Sequence, residues 1–492
     1  MKKNPKAPFF MLPTALMTLL LGACDLFQTS LAEYLKNDQD GGTGAGEEES
    51  VPYVYAAVDS GNDGNSGRSR TSPVKTLGRA LDIWAAEGSA EARIMLLENV
   101  THPGYSDAEA VTVDGFIDFS SLLSSGSRNG ITTVTLAGDG TGKIIDNGGA
   151  TGRRVLYINT AGKVINLKNL TVTGGRGDHG AGVHIGGGGA LSIAGGVVIT
   201  GNEANNDGGG VYVDGVGSNF TMTGGEIHHN KALSNSSGKG GGVCVGDNGT
   251  FTMEGGTIRD NTSGNDGGGV YVSGVNSAAL VRQGAIGVSG GGNTAKYGGG
   301  VYAGPLSRLE LGLADGSGGP GIQHNTAREG TIGTGGGVVI NGNNAQAFFH
   351  QGTVSQNRTY SLGGGILVVN GTLRMRGGTV TGNQVDAGNG KGPGIAVEDN
   401  GSFFMSGAAR MMSPDNPVYL DGTSRYITIG AGGFTGGLST GIALVKTNGY
   451  SPGHVILRQE ESGNHHITAC YDYFDVDGKG LGSSLNPDGT LK

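Results

Sequence analysis

From about residue 183 the chain cycles through three short apolar phrases separated by glycine. The first is a glycine triplet followed by apolar-x-apolar: Val211-Tyr212-Val213, Val243-Cys244-Val245, Val270-Tyr271-Val272, Val338-Val339-Ile340 and Ile366-Leu367-Val368. The second alternates apolar and polar positions, with Phe220 and Met222, Phe251 and Met253, Leu373 and Met375, then Phe403 and Met405. The third runs Gly-x-apolar-x-x-Asn and ends at Asn202, Asn230, Asn261, Asn325, Asn357 and Asn383, with a degenerate copy at Asn293. Consecutive asparagines are 28, 31, 32, 32, 32 and 26 residues apart. Alternation within each phrase predicts strands of three to five residues with one apolar face. The glycines between phrases allow the positive φ angles of sharp corners.

Self-similarity at this period is the signature of a solenoid. Three strands per turn make one coil of a parallel β-helix, and no single coil can bury Val211, Val213, Phe220 and Met222 alone. The coils above and below must cover them, about 4.8 Å away, the distance between neighbouring strands. Parallel crossovers are right-handed in about 98% of cases. The expected fold is therefore all-β, a single-stranded right-handed parallel β-helix of about ten to eleven coils. The recurrent asparagines read as a structural ladder, each carboxamide bonding the next coil and the corner backbone.

Composition sharpens this picture. Of 492 residues 101 are Gly and 13 are Pro, glycine at about three times ordinary usage; the absence of a G-X-Y period excludes collagen. The start, "MKKNPKAPFFMLPTALMTLLLGAC", has three lysines, a short apolar run and small residues before Cys24, the plan of a secretory signal. Its Leu-Gly-Ala-Cys ending resembles a bacterial lipobox, which implies cleavage at residue 23 and acylation of Cys24. Asp25 resembles a retention signal that only some bacteria obey, which leaves the leaflet open. Residues 24–492 carry 30 basic and 42 acidic residues, a net charge of −12, a balance that disfavours nucleic acid. Cys244 and Cys470 are the other two cysteines, and two thiols so far apart establish no disulfide.

Two segments carry a family resemblance. "YVYAAVDSGNDGNSGRSRTSPVKTLGRALDIW", residues 53–84, resembles the N-terminal lead-in of pectin-lyase-like β-helix proteins, which implies a strand, a loop, a Pro-x-Lys-Thr-Leu turn and a short capping helix. Residues 134–175 resemble the first coils of that superfamily. The repeats are similar to those of polymorphic outer-membrane proteins, with Ile/Val-x-x-Asn where those have an aromatic. Only 82 residues follow residue 410, too few for a large translocating barrel. "RYITIG" and "GIALVK" read as strands of a C-terminal β cap over the open end.

Many pectin-lyase-like proteins cleave acidic polysaccharides, which takes an acidic cluster holding Ca²⁺ or paired carboxylates. The outward positions before the asparagines include His228-His229, Arg259-Asp260 and Gln323-His324. They place His228 beside Arg259 on successive coils but repeat no carboxylate at one position. Asp207 and Asp266 precede glycine triplets with Lys239 between them, and read as solvated turn residues. "DSGNDGNSG" has Arg70 where a calcium loop needs Glu, and His465-His466 is an isolated pair. No catalytic residue, metal or cofactor is expected.

Middle positions of the first phrase read His184, Tyr212, Cys244, Tyr271, Tyr302, Val339, Leu367, Ala396. Tyr212, Tyr271 and Tyr302 form a candidate binding stripe for sugar rings or a partner protein, unless another segment covers it. The loops between each asparagine and the next triplet vary in length, as on the binding face of a solenoid. The organisation expected is a lipoprotein signal peptide (1–23), a lipidated tether (24–50), an N-terminal strand and capping helix (51–110), β-helix repeats (111–410) and a C-terminal β-rich cap (411–492). The function expected is that of a non-enzymatic, monomeric, lipid-anchored scaffold of the bacterial outer membrane. It would serve as a surface adhesin binding a glycan, a host protein or another partner protein. The alternative is a polysaccharide lyase or glycoside hydrolase acting on acidic polysaccharide.

Overall fold

A computed structural model of the chain describes residues 52–103, 115–140, 142–328, 332–388, 390–411, 416–421, 424–434, 443–447, 452, 454–460, 474–477 and 484–492. Cys24, the signal and the tether lie outside these residues, as do Cys470 and the His465-His466 pair. Residues 53–492 form one compact unit, a right-handed parallel β-helix. Among the described residues its strands assemble into sheets of 14, 13, 11 and 7 strands, and every strand pair within them is parallel. Eleven coils have a strand in each of the three longer sheets.

Like residues stack on like because the repeat fixes the register. Val211, Val243 and Val270 are partners in the 13-stranded sheet, Phe220 and Phe251 in the 14-stranded sheet, and Ile227, Ile258 and Ile286 in the 11-stranded sheet. All are fully buried. The rings of Phe220 and Phe251 stack at 5.1 Å. Burial of each such side chain contributes about 1.5–3 kcal/mol, and it is realised only when the neighbouring coil is present.

The sequence reading of three strands per coil needs a correction. After each asparagine corner come two further residues that pair, from Glu203–Ala204 and Lys231–Ala232 to Gln384–Val385, and they build the seven-stranded sheet. Two residues are too few to show alternation, so this sheet leaves no periodic trace.

The asparagines form one continuous column. Asn261 Nδ2 donates to Asn293 Oδ1 at 3.0 Å and to the Ile227 carbonyl at 2.9 Å. Its Oδ1 accepts from the backbone N–H and Nδ2 of Asn230, both at 3.0 Å. The pattern runs through Asn202, Asn230, Asn261, Asn293, Asn325, Asn357 and Asn383 to Asn416. The residue before the corner takes a left-handed conformation, at φ 55° for His229, 53° for Asp260 and 58° for His324. That costs about 1–2 kcal/mol for a residue with a Cβ, and the carboxamide bonds hold it in place.

The glycine triplet answers to the same geometry. Gly240 sits at φ 65°. A Cβ on Gly241 would lie 2.5 Å from the Thr262 carbonyl oxygen, and one on Gly242 3.0 Å from Asn261 Nδ2. The chain there leaves no room for a side chain.

At the N-terminal end the strand Val54–Ala56 pairs with Glu91–Leu96, and helix α1, Leu77–Ala86, buries Leu77, Ala80, Leu81 and Trp84. Thr76 caps α1 by accepting from the Arg79 N–H. The acidic loop before it serves this cap: Asp63 accepts from the backbone N–H groups of Lys75 and Thr76 at 2.8 and 2.9 Å. At the other end the stack does not stop at residue 410. Val418–Leu420, Ala443–Thr447 and Phe474–Val476 extend the 13-stranded sheet, while Ile427–Phe434 and Leu457–Gln459 extend the 14-stranded one. The strands expected to cover the last repeat do so as further coils.

Replacing Asn261 by Ala removes a carboxamide that makes four hydrogen bonds and leaves buried partners on both neighbouring coils unsatisfied. The expected loss is about 2–4 kcal/mol, read as a lower denaturant midpoint; Asn202→Ala, which removes a buried carboxamide that also makes four hydrogen bonds, should cost a similar amount.

Candidate binding face

The outer side of the 13-stranded sheet carries the predicted stripe. Tyr157, His184, Tyr212, Cys244, Tyr271, Tyr302, Val339, Leu367, Ala396 and Tyr419 are successive register partners. Glycines at the preceding corner let these side chains lie along the sheet against their neighbours. Tyr271 is consequently only 7% exposed, and Tyr212 and Tyr302 are half-buried. Tyr271 and Tyr302 stack at 5.4 Å and 14°, and Lys239 Nζ lies 5.3 Å from the Tyr271 ring centre. His179 and His184 sit 5.3 and 5.2 Å from Tyr212. Toward the C-terminal end Val339, Leu367, Ala396 and Tyr419 form a small apolar cluster outside the main core. The face is thus a close-laid mosaic of rings and aliphatic groups, with Lys239 over part of it.

A second column flanks the stripe. His179, Asp207, Lys239, Asp266, Tyr297, Thr334, Leu362 and Lys391 are bridged in sequence from coil to coil. Asp207, Lys239 and Asp266 read as solvated turn residues in the sequence, but Asp266 is 8% exposed. Burial, with the Asp207 charge adding and Lys239 opposing, pushes its carboxyl up to about 6. The sequence signal for this column was present, since six of its eight members, all but His179 and Lys391, immediately precede a glycine triplet; its burial was not, because the covering side chains come from other coils. His179 Nδ1 and Asp207 Oδ2 are 3.3 Å apart, and His184 Nε2 lies 3.1 Å from Asp214 Oδ1. Cys244 is buried and free between Tyr212 and Tyr271. Burial raises its thiol well above the ordinary range, which suits packing and not nucleophilic attack.

The 11-stranded sheet brings His228 beside Arg259 in direct register. Arg259 bonds Glu226 at 2.8 Å and Asp260 at 2.7 Å. His228 Nδ1 meets His229 Nδ1 at 2.7 Å and Thr200 Oγ1 at 3.1 Å. Burial lowers the His228 pKa, and the Arg259 and His229 charges lower it further. The corresponding outward positions on later coils, Gln323, Ser355 and Thr381, add no further carboxylate. Among the described residues no group of three or more His, Cys, Asp or Glu is arranged to hold a metal ion.

Residues 154–304 match the family model described as a right handed beta helix region. The match falls on the coils that carry the tyrosine stripe. No curated protein and no solved structure matches the chain.

Asp266 makes the face sensitive to pH. Its folded pKa lies above the unfolded value, so between about pH 4 and 6 the folded chain holds a proton that the unfolded chain releases, and stability falls as pH rises through that window. Above it the full penalty stands, on the order of 2–3 kcal/mol. Asp266→Asn should match the parent near pH 4 and exceed it above pH 6, a gap that melting profiles across this range would reveal.

Proposed function

We propose that this protein is a lipid-anchored scaffold of the bacterial cell envelope, held at the outer membrane through Cys24, whose β-helix serves in adhesion to a partner surface. One observation carries the adhesive part. The turns that leave the 13-stranded sheet present Val216, Val275 and Leu306 at 78%, 49% and 46% exposure. These turns are hydrogen-bonded coil to coil, Gly215 to Asp247, Asn248 to Val275, Gly274 to Pro305 and Leu306 to Asn343. The aliphatic groups therefore lie along one rim beside the aromatic face, Val275 and Leu306 on successive coils and Val216 two coils away across the Asp247-Asn248 turn. No coil needs them for its core, and grouped exposed aliphatics mark interaction surfaces. The lipoprotein reading rests on the Leu-Gly-Ala-Cys ending and its preceding apolar run.

A second reading, polysaccharide lyase or hydrolase, is favoured by one feature. A buried carboxyl titrating near 6, that of Asp266, with Asp207 two coils away across Lys239, is suited to proton donation. Purified protein incubated with acidic polysaccharides, with and without Ca²⁺, decides between them: new unsaturated or reducing ends that vanish in Asp266→Asn would establish an enzyme.

For the leading reading, cells displaying the full chain should adhere to glycan- or protein-coated surfaces, and the triple variant V216S/V275S/L306S should lose most of that adhesion at unchanged surface level. Undiminished adhesion of the variant removes the rim from the account. Cys24→Ser should abolish fatty-acid labelling and release the protein from the membrane fraction; persistent labelling would refute the anchor.

A further inference from the structure

On the outer side of the 14-stranded sheet one column holds small polar residues on the early coils, Asn166, Ser192, Thr221 and Thr252. On later coils the same column holds Phe348, Arg374, Phe404, Thr428 and Arg458. Small groups satisfy the position, so the fold does not ask for these larger ones.

The larger side chains are laid out as rings carrying guanidinium groups. Arg308 lies 4.4 Å from the Phe348 ring centre, Arg374 lies 3.9 Å from that of Phe404, and Arg458 lies 5.3 Å from that of Tyr426. Arg308 and Arg374 each bond one glutamate, Glu310 and Glu460, at 2.6 Å. Arg376 and Arg458 form no ion pair among the described residues, and Arg308, Arg376 and Arg458 are exposed. Strands Ser307–Leu311 and Leu457–Gln459 are five positions apart in the sheet, so the strip runs roughly 24 Å along the far half of a rod of roughly 60 Å.

We infer that this strip seats the rod lengthwise on a bilayer containing anionic phospholipid, its arginines on the lipid phosphates. Cationic groups on aromatic rings, with the ring at headgroup depth and the charge reaching the phosphate, are the make-up of an interfacial surface. Each basic residue near an anionic surface contributes only about 1 kcal/mol, too little to recruit an acidic rod from solution. Here the inference rests on the anchored reading, because a chain already held at the membrane meets the headgroups at high effective concentration. The residues from Cys24 to Pro52 reach at most roughly 100 Å, which lets the rod lie down as well as stand. The strip then sets which face turns to the membrane, a matter that anchoring alone leaves open.

Residues 53–492 hold the whole described core, from Val54 to Leu491, and this unit is tested without depending on Cys24. A polyhistidine tag at its N-terminus tethers it to nickel-chelating lipid in a supported bilayer, and neutron reflectometry reads the thickness of the protein layer. On phosphatidylcholine with a quarter phosphatidylglycerol the layer should be about half the roughly 60 Å of an upright rod. It should thicken on phosphatidylcholine alone or as salt rises. R376Q/R458Q should lower the ratio of lying to upright rods roughly tenfold or more. R376K/R458K should lie as the parent does, since a bilayer answers to charge more than to the guanidinium fork. V216S/V275S/L306S should also lie as the parent does, and melting temperatures should stay near the parent's throughout. A layer equally thick on both bilayers, or one unchanged by R376Q/R458Q, overturns the inference. So does a rod that stays upright while soluble polyglutamate binds the strip, which would assign it to an acidic protein partner. Failure of fatty-acid labelling at Cys24 would remove the anchor and leave these readings unaltered.

Discussion

The buried asparagine column is the constraint on which the rest of this structure depends. A carboxamide with no access to water must have its donors and acceptors met by protein, since each unmet group costs about 1–3 kcal/mol. Here the partners are the carboxamides of the adjacent coils and the carbonyls of the corner behind. Column geometry then sets the chain on the opposite side of the coil: a Cβ on Gly242 would come 3.0 Å from Asn261 Nδ2. Glycine triplet and asparagine thus recur together because they face one another across a narrow interior. A coil that shifted register would break both, so the repeats lock one alignment for the whole stack.

That lock explains which parts of the structure could be read from the sequence. Inward columns follow from alternation, and Val211, Phe220 and Ile227 each stack on their own kind as their phrases predict. The alignment of Tyr212 with Cys244 and Tyr271 follows equally, since one register governs both faces. Exposure does not follow. The half-burial of the tyrosines and the near-complete burial of Asp266 arise because rings and side chains of adjacent coils lie over one another, which no single coil's pattern records. Nor does pairing that takes only two residues: Lys231–Ala232 and Thr262–Ser263 form ladder bonds without any periodicity to betray them. The coils beyond residue 410 were legible as strands, yet not as members of the same sheets, because the Gly-x-apolar-x-x-Asn phrase is lost there even though Asn416 continues the column.

A solenoid locked in this way sorts its residues by role. Inward positions are dictated by packing, corners by φ and hydrogen bonding, and outward columns are nearly free. Departures from small polar residues in an outward column therefore carry information that the same residues in a globular protein would not. The tyrosine column meets its own needs, as its rings stack on one another and its C-terminal part forms an apolar cluster. The aliphatic rim and the arginine strip meet no such need, since removing Val216 or Arg376 would unsettle no buried contact that the core depends upon.

An acidic chain that presents an arginine row raises the question of which field an anionic bilayer would meet. At physiological ionic strength exposed charges are screened beyond about 8 Å, a distance of roughly two coils. The net charge of residues 24–492 therefore weakens approach at low salt more than it weakens a contact already made, where the nearest guanidinium groups dominate. Within that range Arg376 and Arg458 form no ion pair among the described residues, and Arg308 and Arg374 each bond one glutamate, Glu310 and Glu460. A single small anion would gain from one arginine and still meet the surrounding negative potential. Only a surface with charges repeated along the stack engages several arginines at once, so the acidic background sharpens the selection for an anionic bilayer over a lone ion.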